Sequence, residues 1–411
     1  MCLLMCFGSI SAIRRNFEEF VSVNGTGGIP LSGITALTVD DNGFVWGASR
    51  MGIIRATPSA VGMYRLPVST SDVMQMKVVY NKGELVAATQ NGKVFRFDQI
   101  KDRFEHLFSV SDTLGNTDCI SNLVIDSSGI PWISTSLGIF YYSDNALHQF
   151  SHDMSGYCYI LQSAGDDMFA ISDGKMYSIS DNGRKYSLLP GTFDSYVSNA
   201  TYDKFRDRIL LGTYQGELWE YSLKEKKLTR LGEGLIPEVI IRSILVHDPD
   251  SMLIGLEGSG IIMLDSDGGK VLEVIQNDID NPSSLKGNSV FAMVTDRQGR
   301  LWTATTSAGL QYSDADGDDA GRIVHKYNSS SSLCNNEINY LLTDKDGNLW
   351  VATNDGISRR TASDGSWLHL FGRQQLSVLS LTQGHDGLIY ASTYGKGIYV
   401  LDPSPGREKA H

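Results

Sequence analysis

The sequence predicts an all-β protein, a β-propeller of four-stranded antiparallel blades, and three observations carry that prediction. A unit of about 40 residues recurs nine times in phase along the 411 residues. Each copy alternates apolar and polar residues with the period of a strand and interrupts them with Gly-containing turns. Helical signals are nearly absent, since no stretch sustains an i, i+3, i+4, i+7 apolar stripe behind a capping box.

The clearest copy is INYLLTDKDGNLWVATNDGI, from Ile338 to Ile357. Ile338, Tyr340 and Leu342 alternate with other residues, as in a strand with one face against a packed neighbour. Asp344 to Gly347 reads as a turn, because an Asp side chain accepts nearby backbone N–H groups and Gly tolerates positive φ. Leu349 to Val351 then forms a second strand, Thr353 leads into a turn ending at Gly356, and a third strand follows. Such a meander cannot bury its own faces alone.

Four further copies are strong: Ile34 to Ile53, Ile120 to Ile139, Val290 to Leu310 and Val378 to Ile398. Weaker ones lie between them, before Gly92, Gly174, Gly216 and Gly260. Propellers have about four to eight blades. The expected organisation is therefore a leader at 1–16, a seven-bladed propeller at 17–337, the first blades of a second, truncated propeller at 338–402, and a tail at 403–411. A single ring of eight or nine blades is the alternative.

Taken in order, Met1 to Ala12 is apolar and ends in small residues, like the tail of a secretory signal peptide, although it lacks a basic start. Phe17 to Val23 reads as a lone strand ahead of the first repeat, placed to become the outer strand of the last blade and close the ring. Asn24 to Gly28 is a turn. Each repeat then adds a charged outer strand, for example Val61 to Leu66, Arg103 to Phe108, Ala146 to Phe150, Lys227 to Leu231, Arg322 to Tyr327 and Trp367 to Phe371. Apolar inner strands and charged outer ones suit blades around an axis with a solvated rim.

A formal charge of −12 without a Lys/Arg block argues against nucleic acid and against anionic membranes. No stretch reaches the length of apolar residues that spans a bilayer. Of the five Cys, Cys119, Cys158 and Cys334 are widely spaced without a C-x-x-C, and they read as buried or half-buried thiols.

The repeated Trp46, Trp132, Trp302 and Trp350 invite a sugar-stacking role. They share one position with Val86, Phe169, Leu210, Leu253 and Tyr390, which assigns them to packing between blades. Asp40, Asp126, Asp296 and Asp344 each belong to their own turn and are assigned to capping it, with no metal site and no cofactor. Catalysis lacks a motif. The carboxylate pairs Asp166-Asp167 and Asp318-Asp319 sit in turns, and His148 and His152 do not share a face at a strand end. No catalytic residue is assigned. The turn between the second and third strands varies most, and it lies beside the entry to the inner strand. Arg50, Asn91, Tyr214, Glu257, Asn354 and Tyr394, which follow the Ser/Thr position, are the candidate ligand-binding residues of the channel rim.

The pattern I-x-x-L-x-x-D-x-x-G-x-L-W-V-x-T-x-x-G-I, followed from 34 to 402, resembles the two-component regulator propeller repeat. No Gly-His and Trp-Asp pair of the WD40 kind is present, nor a kelch double glycine. The resemblance implies tandem seven-bladed propellers forming the periplasmic sensor of a hybrid two-component system of gut Bacteroidetes. It also implies export to the periplasm, an oligosaccharide from polysaccharide breakdown as ligand, and a homodimer in the intact sensor. The family's later modules, including the membrane helix and histidine kinase, do not appear in these residues, which read as a fragment or truncated product. The expected function is non-catalytic sensing. Its rivals are a scaffold for protein partners and a propeller lyase or hydrolase, the latter requiring His and carboxylates to converge on one point.

Overall fold

The computed structural model describes residues 17–404 apart from 18, 24–30, 69–76, 111–119, 152, 153, 155, 163–166, 181–184, 282, 315–322, 327, 328 and 373. The expected leader, the turn at 24–28, Cys119, His152, Asp166, Asp318 and Asp319 lie outside the described residues. The described residues form the predicted all-β propeller. Blade 1 consists of Ile34–Val39, Val45–Ser49, Gly52–Ala56 and Val61–Tyr64, each paired antiparallel to the next. Blades 2 to 6 repeat this order from the inner strands Lys77–Asn81, Asn122–Ile125, Cys158–Gln162, Val197–Asp203 and Ile241–Leu245. Blade 7 takes Val290–Thr295, Leu301–Thr305 and Gly309–Ser313 from one stretch of chain, and its outer strand, Val21–Ser22, from the N-terminal region.

In four of the five strong repeats an Asp builds the first turn; the fifth has Gly384 at that position. Gly43, at φ +83°, donates its N–H to the Asp40 carbonyl at 3.0 Å. Asp40 Oδ1 accepts the N–H groups of Asn42 and Phe44 at 2.9 and 3.0 Å. The second oxygen, Oδ2, accepts the indole N–H of Trp46 at 2.7 Å. The same bond joins Trp132 to Asp126 (2.9 Å), Trp302 to Asp296 (2.7 Å) and Trp350 to Asp344 (2.7 Å). Turn capping and packing are thus one device: the Trp fills the space between blades and satisfies a carboxylate that its own bulk helps to bury. Where the Trp is missing another donor takes its place. Arg208 Nε reaches Asp203 Oδ2 at 2.8 Å; in the last repeat, where Gly384 stands at the Asp position, the Tyr390 hydroxyl instead reaches Asp386 Oδ2, two residues on, at 2.6 Å.

At Asp344 burial works to raise the carboxyl pKa. Hydrogen bonds from Trp350 and Asn348 outweigh it and hold the group below its ordinary value. Its contribution to stability is therefore present above the unfolded carboxylate pKa and is lost as pH falls through the lower folded value.

The coupled pair can be tested in blade 3, where Asp126 Oδ2 has Trp132 as its hydrogen-bond donor and Asp126 is almost fully buried. Trp132→Phe keeps the packing surface but removes the donor, and is expected to cost about 1–3 kcal/mol in urea unfolding. Trp302→Phe should cost less, because Arg300 Nε also holds Asp296 Oδ2, at 2.6 Å. Equal losses in the two variants would contradict this account.

The core lies between the blades. Trp46 and Ile53 of blade 1 pack on Leu85, Ala87 and Phe95 of blade 2, and an equivalent apolar layer separates each following pair. The layer between blades 7 and 1 joins Trp302, Ala304 and Leu310 to Val45 and Ile54, with Val23 beside them. The seven inner strands accordingly form a closed circuit in which each touches the next and Val290–Thr295 touches Ile34–Val39. Phe17 and Phe20, at 1% and 2% exposure, enter the layer between blades 6 and 7.

The described parts of Met1–Asn277 and Ser284–Gly317 make one compact unit, and those of Asp278–Ser283 and Asp318–His411 another. The second unit holds a four-stranded sheet, Ile338–Thr343, Leu349–Thr353, Gly356–Arg360 and Trp367–Leu370, and a three-stranded one, Val378–Gln383, Ile389–Thr393 and Gly397–Leu401. Trp350, Ile357, Val378 and Ile389 pack between them.

Two local expectations need correction. The lone N-terminal strand is shorter than Phe17 to Val23, pairing only at Val21–Ser22, because Phe17 and Phe20 point into the core instead of extending a ladder. Arg322 to Tyr327 is no outer strand in its described residues 323–326, since the outer seat of blade 7 is taken by Val21–Ser22; His325 makes a single bridge to Leu333. The outer strands Lys185–Thr192 and Val271–Ile275 complete blades 4 and 6, in keeping with one outer strand per repeat. Cys158 is a buried free thiol and Cys334 a half-buried one.

Candidate functional site

The inner strands of blades 1 to 7 surround a channel of about 370 Å³, to which every one of them contributes. Thr35, Lys77, Asn122, Tyr159, Asn199, Arg242 and Phe291 line it, one from each strand. Several of the polar side chains are committed to neighbouring strands. Asn122 Nδ2 donates to the Ile160 carbonyl at 2.8 Å, the Ser198 hydroxyl to Ile241 at 2.6 Å, and Asn199 Oδ1 accepts the Ile244 N–H at 3.2 Å. These bonds satisfy the ring from within.

The two cations of the channel differ. Arg242 donates through Nε to Glu257 Oε2 at 2.7 Å, and its guanidinium stands 4.7 Å from the Phe291 ring centroid. Glu257 Oε1 in turn accepts the Ser289 hydroxyl at 3.1 Å. Lys77 has no ion-pair partner among the described residues. Burial, and secondarily the like charge of Arg242, push its ammonium pKa down to about 8.

On the rim, a cleft of about 330 Å³ opens between blades 4 and 5, lined by Tyr157, Asp173, Asp194, Tyr196 and Gln215 among others. Tyr157 and Tyr196 meet edge to face at 5.9 Å, and the Tyr157 hydroxyl donates to the Val197 carbonyl at 3.0 Å. Tyr196 is 65% exposed, so its ring is offered to solvent. Beneath it, the Ser195 hydroxyl donates to Glu217 Oε2 at 2.7 Å; this bond, helped by Trp219 and Arg230, holds the Glu217 carboxyl below its ordinary pKa. Tyr159 at the cleft floor is buried, which raises its phenol pKa and keeps it neutral.

The predicted rim residues do sit beside the inner-strand entries, and backbone hydrogen bonds show why. The Tyr214 N–H donates to the Tyr196 carbonyl (3.2 Å), Glu257 to Ile240 (3.0 Å), Asn354 to Glu337 (3.1 Å) and Tyr394 to Ser377 (2.9 Å), each acceptor immediately preceding an inner strand. Tyr214 is thereby placed next to Gln215 of the aromatic cleft, and Glu257 against Arg242 of the channel, though neither is itself a lining residue. Arg50 is exposed beside Gly33, and Asn91 is half-buried in the turn at 89–92. Asn354 and Tyr394 belong to the other unit, where Asn354 Oδ1 accepts from Asn339 and Ser377, both at 2.9 Å.

Sequence reasoning missed Lys77, Arg242, Tyr157 and Tyr196. The signal was available for the first two, because apart from Asp203 in its turn they are the charged residues of the seven inner strands. Among the described residues no group of three or more His, Cys, Asp or Glu is placed to hold a metal ion. Several described His residues engage nearby groups: His106 meets the Ser109 hydroxyl, and His325 and His369 meet backbone carbonyls.

The two component regulator propeller model matches residues 284–307 and 332–355. No curated protein sequence matches the chain. Among solved structures, it resembles the extracellular domain of BT4673 from B. thetaiotaomicron (TM-score 0.59, 16% identity, 96% of this chain and 61% of that one). It resembles that of the hybrid two component system BT3049 from the same organism similarly (TM-score 0.58, 19% identity, 96% and 54%). A streptogramin B lyase covers less of the chain (TM-score 0.57, 13% identity, 72% and 98%). The chain thus spans 61% and 54% of the two ectodomains, and at these identities the likeness establishes a shared fold.

Proposed function

We propose that this chain, two of whose repeats match the two component regulator propeller, is the ligand-binding part of an exported sensor and binds an oligosaccharide without transforming it. The observation that carries this reading is the cleft between blades 4 and 5. Exposed and edge-packed tyrosines present apolar ring faces there, next to Asp173, Asp194 and Gln215, which offer acceptors and an amide to sugar hydroxyls. The likeness to extracellular sensor domains supports both the sensing role and an extracytoplasmic location. Calorimetry of the full chain against a panel of plant, host and microbial glycans tests it. Binding is expected to weaken at least tenfold in Tyr196→Ala, whose side chain is too exposed for its loss to unfold the protein. A panel that gives no heat with folded protein, or a binder indifferent to Tyr196→Ala, would remove the basis for the reading.

We also take 338–402 as the beginning of a second propeller after seven blades, on the exposure of its first inner strand. Leu341 is 58% exposed and Tyr340 44%. Leu123 and Met293, at the position of Leu341 in blades 3 and 7, are buried against neighbouring blades. An inner strand with that face open has the surface on which a further blade packs.

A further inference from the structure

We propose that the central channel of the seven-bladed ring holds the anionic group of an acidic saccharide, a carboxylate or a sulfate ester, between Lys77 and Arg242. The inference rests on the saccharide-binding reading above and names the chemical class of the ligand and a second contact region for it.

The channel inverts the charge of the molecule around it. In a chain of formal charge −12, the residues lining the channel include Lys77 and Arg242 and no Asp or Glu. The nearest carboxylate engaged there, Glu257, is used to orient Arg242. It takes the Nε hydrogen at 2.7 Å and is itself held by Ser289, while Phe291 lies against the guanidinium. The terminal nitrogens of Arg242 make no hydrogen bond to described residues, so a guanidinium fixed on one side keeps donors on the other, suited to a planar or tetrahedral oxyanion.

Lys77 stands in the same cavity without a compensating charge among the described residues. Both its burial and the neighbouring guanidinium disfavour its cation, as the lowered pKa of about 8 records. Two like charges kept together at an internal cost are relieved when an anion enters. Of the neutral polar side chains, Asn122 and Asn199 already hold neighbouring strands together. A volume of about 370 Å³ and the ring of Phe291 leave room and an apolar wall for a pyranose bearing the acid.

The test is calorimetry of the full chain with oligosaccharides of galacturonate and of glucuronate, their methyl esters, galactose 6-sulfate, and sodium sulfate alone. At least one acidic sugar is expected to bind tenfold or more tightly than its ester or its unsulfated counterpart, and to weaken as salt is added. Lys77→Met should lose at least tenfold of that affinity and Lys77→Arg should retain most of it. The thermal midpoint of Lys77→Met should be equal to or above that of the native chain, since a desolvated cation is removed. The proposal is overturned if Lys77→Met binds the acid unchanged, if ester and acid bind alike, or if no acidic sugar in the set binds. Sodium sulfate binding as tightly as the best acidic sugar would reduce the channel to a site for free anions and remove the saccharide. Neutral glycans that bind in a Tyr196-dependent manner while every acidic sugar fails would sink this inference and leave the proposed function standing.

Discussion

Phe20→Ala is expected to lower the unfolding free energy of the seven-bladed ring by about 3–5 kcal/mol, the usual cost of emptying a buried aromatic site. The ring in Phe20 is 2% exposed and lies with Phe17 among Leu253, Ile261, Ile275, Leu285, Met293 and Leu301. These residues come from blades 6 and 7, so the N-terminal segment contributes to a layer that neither blade completes alone. Pairing of Val21 with Tyr312 and Ser22 with Gln311, and the bond from Val23 N–H to the Leu310 carbonyl at 3.0 Å, then continue the closure to the blade edge. Urea unfolding followed by tryptophan fluorescence reads the loss. A change below about 1 kcal/mol would show that the N-terminal segment decorates the ring and does not close it.

Gly260→Ala should be still more selective, because the neighbouring Gly258 provides its control. Both residues have positive φ, +77° and +74°, and an L side chain at either is strained by roughly 1–2 kcal/mol. A Cβ on Gly258 meets nothing within 4 Å, whereas one on Gly260 falls 2.3 Å from the Ile275 carbonyl oxygen at the end of the outer strand. The Gly260 N–H is also fixed, by the Asn288 carbonyl at 2.7 Å. Gly258→Ala should therefore cost about the strain alone, and Gly260→Ala should exceed about 3 kcal/mol because backbone must move. Similar unfolding midpoints for the two variants would refute a role for the close approach.

The repeat itself was the most legible feature of the sequence. Asp40, Gly43, Trp46 and Gly52 each carry local chemistry, so their spacing announces turns and strands before any tertiary contact is known. Their coupling was less visible. Asp40 as a cap and Trp46 as packing are each readable alone, but the bond between them crosses from a turn to the second strand and depends on the twist of the meander. The bounds of Lys185–Thr192 and Val271–Ile275 were not legible, because outer strands share no motif and are held by their neighbour's edge. Turn variability marks the rim and so pointed to turn residues such as Tyr214 and Glu257, which lie next to the cleft and the channel. It gave no sign of Tyr157, Tyr196, Lys77 and Arg242, because what faces the channel or cleft is decided by closure of the ring and not by the repeat that encodes the blade.

The borrowed strand of blade 7 has a kinetic side. Six blades are meanders of consecutive chain and can form locally, but Val21 meets a partner roughly 290 residues away. Loop-closure entropy rises by only about 0.6 kcal/mol for each doubling of length, so this distance costs little at equilibrium and mainly delays the final step. Until that step, Gly309–Ser313 presents an unpaired edge that fits Val21–Ser22 of any copy of the chain. At high concentration during refolding, intramolecular sealing therefore competes with strand exchange between molecules.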